Sequence, residues 1–367
     1  MKIAAIYTQS VGPLPDGEIR FENDWSGEIE SNVLITGPNG CGKSTLLRAI
    51  SLLWRAFGHW LGTGTRLNIK DESYTWFYRW DASCAMILDS FSPKSEDQSE
   101  DQIGLFLGSE AFLVQLKEKY PQVYWLGETV SRTKGTTPET TVFTSSEHFF
   151  LPYKNWWSHW SSQYQRLVLK GPSVDMPNLV YLDAEARRWV RPQKDIGSLS
   201  PDDSTQAWLA TYEVNDNWKG QLESSLFNMK ATMPGEYPEM IATLNQFFSG
   251  KRIEAEIHPG QRQRVLLDSG NDHSLDALSS GEHQVLIMLF TVQRWLQPGG
   301  VVLIDEPDLH LHPSLISPLL ASIENIVARK NGQLVMTSHA TDIWQRYDNM
   351  GLRIDLTDGK DAENGQR

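Results

Sequence analysis

The chain has 367 residues, of which 40% are hydrophobic and 22% are charged, and its formal net charge is −13. This length allows one large domain with an insertion, or two domains. The acidic charge argues against a surface built for non-specific nucleic-acid binding, which depends on basic groups, although it leaves a local basic groove open.

The lack of a targeting segment and the low cysteine content indicate a cytoplasmic protein. No apolar run is long enough to cross a bilayer, and Gly12 and Pro13 interrupt the N-terminal segment too early for a signal peptide. The two cysteines, Cys41 and Cys84, do not suggest a disulfide framework, and no Cys–His cluster suggests structural zinc. We therefore expect a cytoplasmic protein without a membrane-spanning segment.

The first sixty residues predict three strands and a helix. Strands are expected at residues 2–7, 19–21 and 32–36, where apolar residues alternate or run together. A helix is expected from Ser44 to about Trp60, because apolar residues recur there at helical spacing. These residues are Leu46, Leu47, Ile50, Leu53, Trp54 and Phe57.

The middle of the chain gives weaker signals. Short apolar or alternating runs predict strands at residues 85–88, 103–107, 123–126, 141–143 and 178–183. The acidic, serine-rich stretch 92–102 has the composition of a mobile loop. From residue 217 to about 248 the pattern is helical, with breaks near Pro234 and Pro238.

The last third alternates strands with helices, which predicts a parallel α/β sheet. The expected strands are 264–267, 301–305, 333–337 and about 352–356. The expected helices run from Ser280 to about Trp295, from Pro313 to about residue 328, and for a short stretch after His339. Residues 358–367 are expected to form a flexible tail.

A phosphate-binding loop follows the third predicted strand and opens the first helix. It reads Gly37, Pro38, Asn39, Gly40, Cys41, Gly42, Lys43, Ser44 and Thr45, a full GxxxxGK[ST] motif. The glycines let backbone N–H groups face phosphate oxygens, and the helix N-terminus adds partial positive charge. Lys43 is expected to reach the β- and γ-phosphates of a nucleotide, and Ser44 to ligate Mg²⁺.

Two adjacent carboxylates end the apolar strand at residues 301–305. In a parallel sheet, ligands bind beyond the carboxyl ends of the strands, which is where Asp305 and Glu306 lie. Asp305 is expected to hold the Mg²⁺ through water. Glu306 is expected to polarise the attacking water as a general base.

Two further motifs are unremarkable alone. The sequence Leu278-Ser279-Ser280-Gly281-Glu282 is compatible with an ordinary helix N-cap, and His339 simply follows a strand. Together with the phosphate-binding loop and the carboxylate pair, and in this order, they resemble the signature motif and switch histidine of ABC ATPases. The resemblance covers roughly residues 1–60 and 260–357.

The resemblance implies an α/β fold. The expected structure is an ABC-type P-loop ATPase head, with a parallel sheet core, flanking helices and an antiparallel β lobe. Its core would be split between residues 1–60 and 260–357. Residues 61–259 would be a large mixed α+β insertion containing the β lobe and a helical subdomain.

The resemblance also implies how the site works. ATP and Mg²⁺ would bind between two heads, the signature residues Ser279, Ser280, Gly281 and Glu282 contacting nucleotide held by the partner. The protein would then be a homodimer or higher oligomer. His339 would contact the γ-phosphate and act with Lys43 and Glu306 in catalysis. His310 and His312 resemble the D-loop of the family rather than a metal site.

Spacing favours one branch of the family. The distance along the chain from Lys43 to Ser279 is too long for a transporter ATPase, and the candidate Q-loop glutamines, Gln102 and Gln122, are poorly placed. No heptads indicate the coiled coil of chromosome-structuring ATPases. Residues 305–313 (DEPDLHLHP) and 180–188 (VYLDAEARR) are similar to stretches of RecF-like and OLD-like ATPases.

The defence-associated members of this group offer the nearest parallel. OLD nucleases carry a TOPRIM domain after the ATPase, and we expect none here because the sequence ends soon after its last predicted strand. The chain instead resembles ATPase subunits of the Septu, PARIS and retron-associated types, which work with a separate nuclease or toxin. This resemblance implies a sensor or scaffold that controls such an effector.

A RecF-like DNA-repair ATPase is the alternative, since nucleic acid is also a possible partner. It requires a basic groove, for which the candidate residues are Arg187, Arg188, Arg191, Lys194, Lys251, Arg252, Arg262 and Arg264. The 14 tryptophans suit a core or protein interface better than a base-stacking surface, because the net charge opposes nucleic-acid binding.

Overall fold

The computed structural model describes residues 1–79, 81–92, 102–131, 139–165, 174–190, 203–212, 222–257 and 261–357. The predicted mobile loop lies almost entirely outside these residues, as does the predicted tail. Within them, strands and helices form an α/β fold with one parallel sheet and two other sheets, which confirms the predicted fold class.

The parallel sheet is the centre of the fold. Its strands run in the order β15-β3-β14-β13-β8-β9, and every neighbouring pair is parallel. They are β3 (Asn32–Thr36), β8 (Leu179–Leu182), β9 (Leu209–Thr211), β13 (Val301–Ile304), β14 (Gln333–Thr337) and β15 (Leu352–Asp355). The four inner strands are almost wholly buried, as expected for a parallel sheet covered on both faces.

Different helices cover the two faces of this sheet. Alternate residues of β13 enter separate cores: Val301 and Leu303 pack with helix α1, and Val302 and Ile304 with helix α8. Helix α1 is Lys43–Thr63, α8 is Ser280–Trp295, α9 is Pro313–Arg329 and α10 is Thr341–Met350. Helices α9 and α10 lie on the α8 side, so the sheet separates α1 from α8.

A mainly antiparallel sheet packs on the other side of α1. Its order is β2-β1-β4-β5-β6-β7, with β5 and β6 parallel. The strands are β1 (Lys2–Gln9), β2 (Gly17–Arg20), β4 (Ser83–Asp89), β5 (Ile103–Gly108), β6 (Tyr124–Ser131) and β7 (Glu139–Thr144). Residues of β1, β4 and β5 share one core with α1, which is therefore enclosed between the two sheets.

Smaller elements complete the fold. A three-stranded antiparallel sheet joins β10 (Lys251–Ile253), β11 (Arg264–Leu267) and β12 (Asp272–Ser274). The remaining helices are α2 (Glu72–Arg79), α3 (Glu110–Lys119), α4 (Glu147–Gln165), α5 (Ser204–Trp208), α6 (Leu222–Thr232) and α7 (Tyr237–Asn245). Helices α6 and α7 pack in the same core as α8, and a short 3-10 turn at Leu275–Ala277 leads into α8.

Strands β8 and β9 change the expected division of the chain. Both come from residues 61–259, which the sequence assigned to an insertion, yet both belong to the parallel sheet. Strand β8 is hydrogen-bonded to β13, with Leu182 in register with Ile304. The parallel sheet therefore extends beyond residues 1–60 and 260–357.

Most tryptophans in the described residues serve the core around α1. Trp54 and Trp208 stack at 4.0 Å, and each indole N–H donates to the other's backbone carbonyl at 2.9 Å. Trp60 and Trp160 are also buried. Trp25, at the tip of a turn, is 99% exposed and does not belong to this core.

Candidate active site at the carboxyl edge of the parallel sheet

The phosphate-binding loop connects β3 to α1 and is tightly wound. Gly42 has φ of 109°, and a Cβ there would lie 2.7 Å from Leu14 Cδ2. Gly37 has φ of 138°, and a Cβ there would lie 2.7 Å from Cys41 Sγ. Both positions need glycine because the backbone is left-handed and the space beside it is filled.

Lys43 donates side-chain hydrogen bonds to carbonyls of its own loop. Its side chain is buried, and Nζ donates to the carbonyls of Gly37 at 2.9 Å and Pro38 at 3.1 Å. Ser44, in the first turn of α1, is exposed, and Thr45 is partly exposed. In the same loop, Pro38, Asn39 and Gly40 face solvent and Cys41 is buried. The loop thus holds a lysine ammonium against its own carbonyls beside exposed backbone at residues 38–40, and backbone N–H groups of such loops bind phosphate in other proteins.

The carboxylate pair lies at the end of β13, two strands from the loop. Asp305 is 3% exposed, and the hydroxyl of Thr337 donates to its Oδ1 at 2.5 Å. The same hydroxyl accepts the backbone N–H of Glu306 at 3.0 Å. Thr337 ends the neighbouring strand β14 and holds both acidic residues in place. No motif in the sequence indicated this role for Thr337.

Glu306 and His339 face each other at this edge. Glu306 Oε1 lies 3.6 Å from His339 Nε2, and both side chains are about a third exposed. Glu306 has a left-handed backbone with φ of 46°, which is unfavourable for a residue with a side chain. The site therefore offers one accessible carboxylate and one accessible imidazole beside a buried carboxylate.

The segment after Glu306 is also fixed by local contacts. Ser338 Oγ donates to Asp308 Oδ1 at 2.8 Å. His310 has φ of 65° and is exposed, while His312 caps α9 by accepting the N–H of Ser314. Among the described residues, no group of three or more His, Cys, Asp and Glu side chains is arranged to hold a metal ion by itself.

The signature residues begin α8 on the other face of the sheet from α1. Ser279 and Glu282 form a capping box, and Lys251 Nζ pairs with Glu282 at 2.9 Å. Burial alone would raise the pKa of Glu282, but hydrogen bonds from Lys251 and Ser279 lower it below its usual value. A Cβ on Gly281 would lie 3.2 Å from the carbonyl oxygen of His310. Ser280 is exposed beside these residues.

The predicted site residues therefore fall into two groups. Strands β3, β13 and β14 run parallel, so the phosphate-binding loop, the carboxylate pair and His339 lie at one edge of the sheet. The signature residues belong to α8, on the face opposite α1. The candidate Q-loop residues Gln102 and Gln122 adjoin β5 and β6 of the antiparallel sheet, away from the strands that carry the carboxylates.

A buried arginine connects the two groups. Arg187 is 2% exposed, and its guanidinium donates to the carbonyls of Asp305 at 2.6 Å and Glu306 at 2.7 Å. Its Nε donates to Gln284 Oε1, in α8, at 3.0 Å. Burial lowers the pKa of Arg187, against the opposing influence of Asp305 and other nearby carboxylates. The sequence showed an arginine here, but nothing in it indicated burial.

The residues proposed for a basic groove are largely committed to other contacts. Arg187 is buried, Lys251 pairs with Glu282, Arg262 with Glu223 and Asp276, and Arg264 with Asp272 and Glu254. Arg191 and Lys194 lie outside the described residues. Arg188 and Arg252 are exposed. Within the described residues, Arg188 and Arg252 are thus the members of this set that are exposed and have no ion pair given above.

Comparison with known proteins gives partial matches to curated relatives. Protein ea59 of Escherichia phage lambda is 27% identical over 154 residues, covering 41% of this chain and 26% of that protein. The retron Ec83 probable ATPase of Escherichia coli is 30% identical over 115 residues, covering 28% and 20%. ATP-binding cassette sub-family D member 3 of Rattus norvegicus is 54% identical over 46 residues, covering 12% and 7%. The chain spans about a quarter or less of each relative.

Solved structures align along almost the whole chain, at low similarity. The SMC head domain from Thermotoga maritima is 12% identical, with a TM-score of 0.42 and coverage of 97% of this chain and 94% of that one. An Smc head bound to the C-winged helix domain of ScpA is 13% identical, with a TM-score of 0.48 and coverage of 93% and 90%. No helix of the described residues is long and apolar enough to cross a membrane.

A family model matches much more of the chain. It is described as "AAA domain, putative AbiEii toxin, Type IV TA system" and matches residues 33–148 and 177–341, well over half of the sequence. With the retron ATPase relative, this match confirms the predicted resemblance to a defence-associated group of ABC-like ATPases. The protein belongs to this AAA-domain family of ABC-like ATPases.

Proposed function

We propose that the protein binds and hydrolyses ATP in a dimer whose composite sites each combine the sheet edge of one head with the signature residues of the other. The observation that carries the proposal is the gathering of the phosphate-binding loop, Asp305, Glu306 and His339 at one edge of the parallel sheet. Phosphoryl transfer needs little covalent chemistry from the protein. It depends mainly on positioning and on stabilising charge, which these groups supply.

The loop and Asp305 fit a nucleotide with Mg²⁺. The backbone from Gly37 to Thr45 would hold the phosphates, and Lys43 would leave its two carbonyl acceptors to pair with phosphate oxygens. The Ser44 hydroxyl and the Asp305 carboxylate would hold Mg²⁺, which neutralises charge on the β- and γ-phosphates. The donors suit Mg²⁺, because this ion prefers oxygen ligands and is bound by few protein groups together with phosphate.

Glu306 is the proposed general base. Its carboxylate is accessible, unlike that of Asp305, and its backbone is held from β14. A base must lie within reach of the water that it activates, and its orientation matters as much as its pKa. His339 Nε2 lies 3.6 Å from the same carboxylate and would contact the γ-phosphate.

The signature residues would act on nucleotide bound by a partner. They begin α8, which the parallel sheet separates from α1 and its phosphate-binding loop. Two heads related by a two-fold axis would satisfy both sites at once. Ser279, Ser280 and the α8 N-terminus would then donate to the γ-phosphate of the partner's nucleotide.

The test uses two substitutions that separate binding from hydrolysis. Glu306→Gln should bind ATP, lose turnover and accumulate as a dimer with ATP and Mg²⁺, because the site assembles but the base is missing. Lys43→Ala should lose nucleotide binding and remain unable to dimerise with ATP. Turnover, nucleotide affinity and mass by light scattering are measured for each variant.

The matched control is Glu118→Gln, an exposed carboxamide replacement on α3. It should behave like the parent in all three measurements. Parental turnover in Glu306→Gln would show that the base is assigned wrongly. A monomer in Glu306→Gln with saturating ATP and Mg²⁺ would overturn the sandwich dimer.

The cellular role that we propose is the sensor or scaffold subunit of an antiviral defence complex in the cytoplasm, controlling a separate nuclease or toxin. The family description names a toxin of a toxin–antitoxin system, and one relative is a retron ATPase. Both described cysteines are free and buried, which suits a reducing compartment. Co-purification of Glu306→Gln from its native operon should recover an effector protein. Recovery of the ATP-bound dimer alone would count against this role.

A further inference from the structure

We propose that Arg187 is a positioning residue that couples the signature helix α8 to Glu306 within the same subunit. The inference rests on the proposed composite site. It adds a route by which engagement of one subunit's signature residues changes the water-activating group of its own site. The route passes through Arg187 and Gln284.

The guanidinium of Arg187 donates four hydrogen bonds to other residues of the chain. Nη1 donates to the carbonyls of Leu182 at 3.1 Å and Asp305 at 2.6 Å, and Nη2 donates to the carbonyl of Glu306 at 2.7 Å. Nε donates to Gln284 Oε1 at 3.0 Å. With 2% exposure, the side chain is not placed to contact phosphate or DNA. Its bonds instead fix the backbone at the ends of β8 and β13 against α8.

This placement matters most at Glu306, whose backbone is left-handed. Such a conformation persists only where surrounding contacts over-determine it. The N–H of Glu306 is held by Thr337 Oγ1 and its carbonyl by Arg187. The Glu306 carbonyl also accepts the backbone N–H of Leu309 at 3.1 Å. If the bond to Arg187 shifts, the side-chain bond to this carbonyl is lost, and the Glu306 carboxylate moves relative to His339.

Residues 187 and 189 contact the signature helix α8 at two consecutive residues. Gln284 accepts from Arg187 Nε, and its own Nε2 donates to the Arg187 carbonyl at 2.6 Å, so the pair forms a closed ring. The next residue of α8 toward its N-terminus, His283, stacks on Trp189 with ring centroids 4.3 Å apart. A displacement of α8 therefore carries residues 187–189 with it.

Gly281 provides a second contact between α8 and the segment after Glu306. It packs directly against the His310 backbone, where a Cβ would be only 3.2 Å from the carbonyl oxygen. Engagement of Ser279 by the partner's nucleotide acts on the same helical turn. The structure thus links signature binding to the backbone of Glu306 through packed, hydrogen-bonded groups rather than through proximity alone.

The experiment compares Gln284→Met with Gln333→Met. Both replace a buried glutamine that bonds backbone groups, but Gln333 lies at the start of β14 and bonds Ile3 and Glu30. We expect Gln284→Met to keep parental ATP affinity within about twofold and to lower turnover about tenfold. The Hill coefficient for ATP should fall towards 1, because coupling between sites is lost. Gln333→Met should be destabilised without a change in cooperativity.

Hydrogen–deuterium exchange of the nucleotide-free protein gives a readout independent of catalysis. Peptides spanning residues 301–311 should exchange faster in Gln284→Met and unchanged in Gln333→Met. Arg187→Lys, which keeps the charge but loses the forked geometry, should show the same change. The double substitution should be no worse than Arg187→Lys, since both act on one connection.

Three outcomes would overturn the coupling. The first is parental turnover and cooperativity in Gln284→Met. The second is unchanged hydrogen–deuterium exchange at residues 301–311 in that variant. The third is a parallel loss of ATP affinity, melting temperature and turnover in Gln284→Met, which a purely structural role predicts. Failure of the proposed function is seen separately, in parental protein that neither hydrolyses ATP nor dimerises with it.

Discussion

Replacing Thr337 by valine tests how the carboxylate pair is held. Valine has nearly the shape of threonine, and Thr337 is fully buried at the end of β14, so the change removes only the hydroxyl. That hydroxyl donates to Asp305 at 2.5 Å and accepts the N–H of Glu306 at 3.0 Å. One substitution therefore breaks a charge-assisted hydrogen bond and leaves a partly buried N–H without its acceptor.

The expected cost follows from these two bonds. A hydrogen bond to a charged group contributes about 1.5–3 kcal/mol, and a buried unsatisfied donor costs about 1–3 kcal/mol. Because the two effects are not additive, we expect Thr337→Val to lower the free energy of unfolding by about 2–4 kcal/mol. Thr337→Ser keeps the hydroxyl and loses one methyl group, for about 1 kcal/mol.

Urea denaturation of the nucleotide-free protein measures this difference, with circular dichroism as the signal. Turnover should also fall about a hundredfold in Thr337→Val, because the Glu306 backbone loses its support from β14, and much less in Thr337→Ser. Equal destabilisation of the two variants would refute the reasoning, since it would assign the loss to packing rather than to the hydroxyl.

Two further predictions concern His283, in α8, and Glu223, in α6. Burial lowers the pKa of His283 despite the nearby Asp276 and Glu282, so the folded state favours the neutral ring. The contribution of the neutral ring to stability is full above about pH 6.5 and is lost on acidification, by at most about 1.4 kcal/mol per pH unit. His283→Gln should therefore make the melting temperature depend less on pH between pH 5 and 7 than it does in the parent. An unchanged slope of melting temperature against pH would contradict this. Glu223 is wholly buried and pairs with Arg262 at 2.6 Å. Glu223→Ala should lower the free energy of unfolding by about 3–5 kcal/mol, and alanine at the exposed Glu239 should lower it by less than about 1 kcal/mol in the same denaturation assay. Similar losses at both positions would argue against the buried pair.

The parts of the fold that the sequence predicted best are those with strong local signals. The strand at 333–337 and the helix at 280–295 match the structure, because the strand has an apolar centre at residues 334–336 and the helix has a capping box. The helix α4 was not predicted, since it carries Pro152 and mixes aromatic with polar residues without a clear face. Its partners, including Trp208, are distant in sequence and supply the packing that the local pattern lacks.

The division of the chain was harder to predict for a related reason. Strand β8 is four apolar residues in a region with no clear alternation of strands and helices, and its placement beside β13 depends on pairing across more than a hundred residues. Short buried strands of this kind are identified by their neighbours in the sheet rather than by their own sequence. Residues 180–188 carried a family resemblance, but their sequence did not indicate that β8 pairs with β13.

The candidate site shows the same limit at the level of single side chains. Lys43, Asp305, Glu306 and His339 were predicted because their motifs follow strands that end at one edge. Arg187 bonds the carbonyls of Asp305 and Glu306, and Thr337 accepts the Glu306 N–H besides donating to the Asp305 carboxylate. A backbone carbonyl or N–H places no demand on the identity of the residue that carries it. Motifs therefore specify the groups proposed to contact nucleotide, whereas the groups that hold them in position emerge only when the strands are paired. Within one chain, Arg187 is such a supporting group, because it joins the sheet edge at Glu306 to helix α8 at Gln284.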